Sequence, residues 1–241
     1  MRIRSKPKTF LDASRRDWQF DAFAWLLRSC GGYAKFQDTT LVLPTEEHFP
    51  DRGMKGHAGV AALFRRVRDH AGMEDWPCTV EPAFEEPRTP DARQNGIRVF
   101  TYQRGALDPV SLVARFACDL ARYLTETFDE AAPGGEAVRE SGVEIAAVFM
   151  GFGVFLANSS ARHGNHQLCE GELAHALALF CLLRPGSTEA VDKHLNPHLR
   201  KYLRLAERDL VQHETKLQKL RRTIQVSAEP AAGSISPTRA G

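Results

Sequence analysis

The sequence has little net charge and few cysteines, and each scarcity excludes a class of protein. Its 241 residues carry a formal net charge of +2, so no strong overall field attracts nucleic acid or an anionic membrane. The cysteines are odd in number and widely spaced, which is typical of free thiols in a reducing compartment and not of a disulfide framework. We therefore expect a cytoplasmic protein with neither nucleic acid nor a membrane as a partner.

The sequence also has little that would carry it into or across a bilayer. Its most apolar segment, residues 145–157, has about 13 residues, whereas a transmembrane helix needs roughly 20. Residues 1–8 are basic but lack the apolar centre of a signal peptide. We interpret residues 145–157 as part of a buried core helix.

Helical patterns dominate the rest of the chain. Apolar spacing and terminal residues predict helices at residues 14–29, 56–70, 109–128, 136–160, 170–183 and 197–222. Asp108 before Pro109 and Asn196 before Pro197 are typical of helix starts. Short β-branched or apolar runs predict strands at residues 39–43, 79–81 and 98–102. The expected fold is α+β and α-dominated, with a small sheet in the first half and a helical C-terminal half.

The composition predicts one domain with a segment on either side. We expect a flexible N-terminus at residues 1–12 and a single domain at residues 13–222 that ends in a long C-terminal helix. Residues 223–241 are expected to be a disordered tail, because most of them are small residues or proline.

Two of the predicted helices carry the frame of a zinc peptidase with its ligands exchanged. Such an enzyme has His-Glu-x-x-His on one helix and Glu-x-x-x-Asp on the next helix. The two histidines of the first motif are one turn apart, so their imidazoles can bind the same ion. In this chain Cys118 and Arg122 stand at the histidine positions, and Asp119 stands at that of the general base. Glu140 keeps the identity of the third ligand, and Glu144 keeps the charge of the acid that follows it.

Together with other segments, this frame resembles a family of uncharacterised bacterial proteins that carry a zincin-like (gluzincin-type) His-Glu-x-x-His helix. The resemblance covers residues 26–204. Its segments here are Leu41-Val42-Leu43-Pro44-Thr45, Gly72-Met73, Trp76-Pro77-Cys78, Leu120-Ala121, Tyr123-Leu124 and the apolar run 146–158. The resemblance implies a zincin-like helix pair and a degenerate member of the family, and it implies no particular substrate.

Arg122 decides what the altered site is expected to do. A guanidinium has only hydrogen-bond donors and a permanent positive charge, so it repels a metal cation. We therefore expect zinc to be lost, with no other cofactor in its place and no catalytic residue in the frame. Arg122 is predicted to place its guanidinium on Glu140, with Glu144 or Asp119 nearby, and so to replace the charge of the metal.

Other interpretations of these residues stay open. Arg122 and Asp119 could simply face solvent on an amphipathic helix, with Cys118 as an ordinary buried thiol. A rearranged metal site could combine Cys118 with His163 and His166, or with the nearby Cys169 and His175. The spacing of those residues matches no strong zinc motif and is more typical of a polar loop.

Three functions follow from this sequence. The first is a catalytically inactive zincin-like protein, or pseudo-metallopeptidase, that acts as a binding or scaffolding module for a protein partner. The second is a metal-dependent hydrolase with an altered site that uses Cys118, Asp119 and Glu140. The third is a structural helical adaptor. The sequence specifies neither the partner nor the oligomeric state.

Overall fold

The computed structural model describes residues 10–50, 55–83, 93–94, 96–103, 108–163 and 166–224. Most of the predicted flexible N-terminus and nearly all of the predicted disordered tail lie outside these residues. The described helices are α1 Ala13–Ser29, α2 Gly32–Phe36, α3 Gly56–His70, α4 Pro109–Thr125, α5 Arg139–Ala147, α6 Gly153–His163, α7 Glu170–Leu183, α8 Ser187–His194, α9 Pro197–Val211 and α10 Glu214–Arg221.

A small sheet lies in the first half of the chain, as predicted. β1 Cys78–Pro82 runs parallel to β3 Ile97–Tyr102, and the two-residue β2 Arg93–Gln94 is antiparallel to β3 on its other side. α3 packs against β1 and α4, and the rings of Phe64 and Phe116 meet 5.2 Å apart in the core below the sheet. The α-dominated α+β fold class is confirmed.

The start of α4 follows from its capping residues. The carboxylate of Asp108 accepts hydrogen bonds from the backbone N–H groups of Val110 and Ser111, and Pro109 occupies the first turn, where its missing N–H costs nothing. α4 buries Phe116 and Leu120 and packs against both α5 and α6. Local capping and an apolar face were therefore sufficient to predict this helix.

The apolar helix predicted at residues 136–160 is interrupted. A 3₁₀ turn at Glu136–Val138 leads into α5, and a π-helical segment at Val148–Phe152 separates α5 from α6. Gly151 in this segment has a φ of 96°, and a Cβ placed there would lie 1.9 Å from the carbonyl oxygen of Thr40. Only glycine fits this conformation and this close approach.

The segment that crosses the π-helical turn was predicted to be a strand, and that prediction is wrong. Residues 39–43 form no strand in the structure, because the N–H of Val42 donates to the carbonyl of Gly151 at 3.0 Å and so joins the helix interruption, not the sheet. The helix break and the crossing segment therefore determine each other's position.

The stretch Glu136–Arg162 is long and apolar enough to span a bilayer by composition alone. Inside the protein, 94% of its most apolar window is buried. It forms the centre of the core and packs against α4 and α7, as expected for the apolar segment at residues 145–157.

The long C-terminal helix predicted at residues 197–222 is two helices. The chain bends at Gln212 and His213 between α9 and α10. After the bend, Leu217 and Leu220 are buried and α10 packs against α1 and α7. A straight helix would have carried both leucines away from the core, so their burial explains the bend.

Candidate functional site

Arg122 on α4 forms the predicted ion pair with Glu140 on α5. Its Nη1 donates to Oε1 of Glu140 at 2.6 Å, and its Nη2 donates to Oε2. Both oxygens of the carboxylate are therefore held by one guanidinium, in the parallel geometry that makes arginine–carboxylate pairs specific. The hydrogen bond from Arg122 lowers the pKa of Glu140, and the same bond raises the pKa of Arg122.

The pair lies at the surface. The side chain of Arg122 is 32% exposed and that of Glu140 is 51% exposed. Water therefore screens both charges, and the pair contributes far less to stability than a buried one would. The Arg122–Glu140 ion pair is therefore an exposed one.

Asp119 lies close enough for its charge to act on Arg122 but does not join the pair. Its nearest cationic atom is Nε of Arg115, at 3.8 Å, which is too long for a hydrogen bond. Burial raises the pKa of Asp119 to about 6, although the charges of Arg115, Arg122 and Arg98 act in the opposite direction. This half-buried carboxyl group is thus partly protonated in mildly acidic solution.

Glu144, which was predicted as one of two acids that could lie near the Arg122–Glu140 pair, makes its hydrogen bonds with residues 166–168. Its buried carboxylate accepts the backbone N–H of Gln167 at 2.9 Å and that of Leu168 at 2.8 Å, and Nδ1 of His166 lies 3.1 Å from its Oε1. It therefore anchors the segment that leads into α7. Nothing in the local sequence indicated this contact, because it joins residues more than twenty positions apart.

Cys118 is half-buried between the two helices. Burial raises the pKa of its thiol well above 9, and the negative charges of Glu144 and Asp119 raise it further. The thiol is protonated at neutral pH, whereas the thiolate is the form that binds metals and attacks substrates.

Those residues of the rearranged metal site whose side chains the structure describes do not form a single group. His166 contacts Glu144, while His175 is fully buried elsewhere, with its Nδ1 2.7 Å from Oε1 of Gln19. Cys169 is exposed at the start of α7, and the side chain of His163 lies outside what the structure describes. Among the described residues, no group of three or more His, Cys, Asp or Glu side chains is placed to hold a metal ion.

The five residues of the zinc-peptidase frame do not fit a zinc ion. Arg122 lies at a ligand position with a permanent positive charge, and it occupies both oxygens of the carboxylate that would have been the third ligand. The arrangement is a salt bridge between α4 and α5.

Comparison of the chain with protein-family models, curated proteins and solved structures finds no match. The zincin-like family resemblance therefore remains a hypothesis that rests on the residues quoted for it.

A groove of about 900 Å³ lies near this helix pair and was missed by the sequence analysis. We define it as the groove between the C-terminal ends of α1, α3 and α4, closed below by the π-helical segment. Its apolar lining includes Phe36, Met73, Trp76, Phe128, Phe149 and Met150. The volume is within the range of roughly 300–1,000 Å³ that is typical of ligand sites.

The bottom of the groove is formed by packed aromatic rings. The ring of Phe149 lies 4.7 Å from that of Phe36 and 5.8 Å from that of Phe23. Phe149 belongs to the π-helical segment whose backbone is fixed by the contact between Val42 and Gly151. Such segments often occur at functional sites. A glycine within an apolar helix was the sequence signal that could have indicated this feature.

Proposed function

We propose that this protein is a catalytically inactive zincin-like protein, a cytoplasmic pseudoenzyme that acts as a binding module for a protein partner. The observation that carries the proposal is the bidentate hydrogen bonding of Arg122 to Glu140. The guanidinium of Arg122 carries a permanent positive charge at a position where the frame requires a metal ligand. It neutralises the carboxylate of Glu140, which a bound metal ion would otherwise neutralise.

The protonation of the neighbouring groups supports the loss of catalysis. Burial keeps the Cys118 thiol protonated, and it raises the pKa of Asp119 to about 6. The carboxylate of Glu140 is engaged by Arg122 and is not free to act as a base. Of the three residues that the alternative hydrolase would use, Cys118 is thus a protonated thiol, Asp119 is a half-buried acid and Glu140 is a carboxylate paired with Arg122.

A binding role is supported by the groove. It has an aromatic bottom and lies against the end of α4, one of the two helices of the frame. A chain that has lost its catalytic groups can still use such a surface, because binding needs shape and charge complementarity but no reactive group.

Metal content and hydrolysis test the proposal. We expect protein purified without a histidine tag to contain far less than one zinc per chain by elemental analysis, and to leave a mixture of unlabelled peptides intact by mass spectrometry. About one zinc per chain, retained through dialysis, would contradict the proposal and favour the hydrolase that uses Cys118, Asp119 and Glu140.

The structural adaptor is supported by a separate observation. Glu144, the second acid of the frame, now holds the segment before α7 in place with hydrogen bonds from two backbone N–H groups. This is a structural use of a position that would serve the metal site in an active enzyme. If substitutions in the groove affect no binding partner, the adaptor becomes the better description.

A further inference from the structure

The rim of the groove has an excess of unpaired negative charge. Asp38, Glu74 and Asp129 are exposed there, and none of them has an ion-pair partner among the residues that the structure describes. One rim cation, Lys35, is likewise unpaired within that part of the chain. The groove is therefore locally acidic, although the whole chain carries a net charge of +2.

The other rim charges are already neutralised by neighbours. Nη2 of Arg28 donates to Glu130 at 2.5 Å, and Nη2 of Arg68 donates to Asp69 at 3.1 Å. The carboxylates of Asp38, Glu74 and Asp129 therefore stay available to interact with a ligand in the groove. The three lie on separate connections, which follow α2, α3 and α4. A single small ion is poorly suited to charges spread over three connections, whereas a chain segment with several charges can meet them together.

The lining of the groove favours the same kind of ligand. Trp76 and Phe128 are partly exposed in the lining, and aromatic rings attract cations through their faces and also pack against apolar side chains. Acidic groups at the rim and aromatic groups below them both favour a cationic ligand that carries an apolar side chain. Both features disfavour an anionic one, because like charges at an interface repel.

We propose that the groove binds a peptide segment of a partner protein in which Arg or Lys residues flank an apolar anchor. The proposal rests on the binding role given above and names the chemistry of its partner. The apolar anchor lies over Trp76 and Phe128, and the basic side chains reach Asp38, Glu74 and Asp129.

Fluorescence anisotropy with a labelled synthetic peptide tests this. The probe is Arg-Leu-Lys-Phe-Lys-Leu-Arg with blocked ends, titrated with the full chain in 50 mM salt. Its matched control has glutamate in place of every Arg and Lys. We expect the cationic peptide to bind at least tenfold more tightly than the anionic one, and its binding to weaken as salt screens the rim charges. Equal affinity for the two peptides overturns the proposal.

Variants of the rim locate the binding. Glu74→Gln and Asp129→Asn each remove one exposed charge that has no partner in the described structure, so neither should disturb the fold. Each should weaken the cationic peptide by about twofold to fivefold, as expected for one exposed ion pair. Glu189→Gln is the control outside the groove lining: it removes an exposed charge on α8 that is paired with Lys193, and it should leave affinity within experimental error. An equal effect of all three variants would indicate attraction by overall charge and would also overturn the proposal.

The same mixtures distinguish failure of this inference from failure of the proposed function. Mass spectrometry of the peptide after incubation with the chain and zinc reports cleavage. Cleavage would contradict catalytic inactivity and leave the binding result in place, whereas absence of binding at millimolar peptide would contradict the groove proposal and leave inactivity in place.

Discussion

Arg122 and Glu140 join α4 to α5 at the surface, whereas Arg16 and Asp209 join α1 to α9 in the interior. The surface pair has two direct hydrogen bonds and side chains that are 32% and 51% exposed. The interior pair has side chains that are 9% and 7% exposed, and Nη1 of Arg16 lies 3.8 Å from Oδ2 of Asp209, beyond hydrogen-bond length. The surface pair, whose charges are already stabilised by water, therefore has the better hydrogen-bond geometry.

The interior pair lies among other buried polar groups. Nε and Nη1 of Arg16, Oδ2 of Asp209 and Nε2 of His175 have no hydrogen-bond partner among the described protein atoms. Burial lowers the pKa of His175 to about 3, and the positive charge of Arg16 acts in the same direction. The comparison teaches that the energetic importance of an ion pair is set by burial more than by its distance, because an unpaired buried charge is costly.

The largest expected effect is that of Arg16→Ala. Among the residues that the structure describes, it leaves the buried carboxylate of Asp209 with a single hydrogen bond, which comes from the N–H of Phe10 at 3.4 Å. We expect the free energy of unfolding to fall by about 3–5 kcal/mol in urea denaturation. Arg16→Met combined with Asp209→Leu is the control and should recover much of the loss. A loss below about 1 kcal/mol for Arg16→Ala would remove the contrast between the two regions.

The next effect tests the proposal that the surface pair stands where a zincin-like protein would hold a metal ion. Cys118→His, Asp119→Glu and Arg122→His together restore His-Glu-x-x-His upstream of Glu140. We expect zinc affinity to rise about 100-fold or more by isothermal titration, equivalent to about 2.7 kcal/mol. Arg122→His alone should gain less. A folded triple variant that gains no affinity would argue against a zincin-like arrangement of α4 and α5.

Acid should destabilise the interior region through His175. Its pKa is about 3 in the folded state against 6.5 for the ordinary group, so between these values the unfolded chain binds more protons. Stability is therefore lost as pH falls below about 6.5, by about 2 kcal/mol at pH 5. Urea denaturation at pH 7 and pH 5 measures this loss.

His175→Gln is the matched variant, since a glutamine side chain also offers an N–H to Gln19 and does not titrate. The loss between pH 7 and pH 5 should be smaller in the variant. It should not vanish, because burial also lowers the pKa values of His48 and His213. An unchanged loss would show that His175 is not the group responsible.

The smallest effect is that of Arg122→Ala. Because the pair is exposed, we expect the free energy of unfolding to fall by less than about 1 kcal/mol. Glu140→Gln should do little more in the Arg122→Ala background, since its partner is already gone. A loss as large as that of Arg16→Ala would show that the surface pair supports the fold and would favour the structural adaptor.

The sequence was sufficient for features that depend on neighbouring residues. Asp108 and Pro109 determine where α4 begins. The ion pair of Arg122 with Glu140 needed more than local sequence, since it was predicted from the zinc-peptidase frame that places the two residues opposite each other; opposite charges in such positions pair readily.

The sequence was insufficient where distant segments meet. Residues 39–43 have the composition of a strand, but the carbonyl of Gly151 offered their backbone a different partner. Glu144 was assigned to the metal-site frame, yet its carboxylate is held by backbone groups of residues 167 and 168. No local pattern contains these contacts, because they form only when the helices are packed.

By itself, then, the sequence determined the helical character of the chain, the small sheet and the opposite charges of Arg122 and Glu140. Periodicity, caps and charge are local properties, so they can be read along the chain. Only the tertiary structure decided that this ion pair is exposed, that Arg16 and Asp209 are buried, and that an acidic groove lies over the π-helical turn. Burial and cavity shape arise from packing between elements that are far apart in sequence. A pattern within one short segment therefore does not predict them.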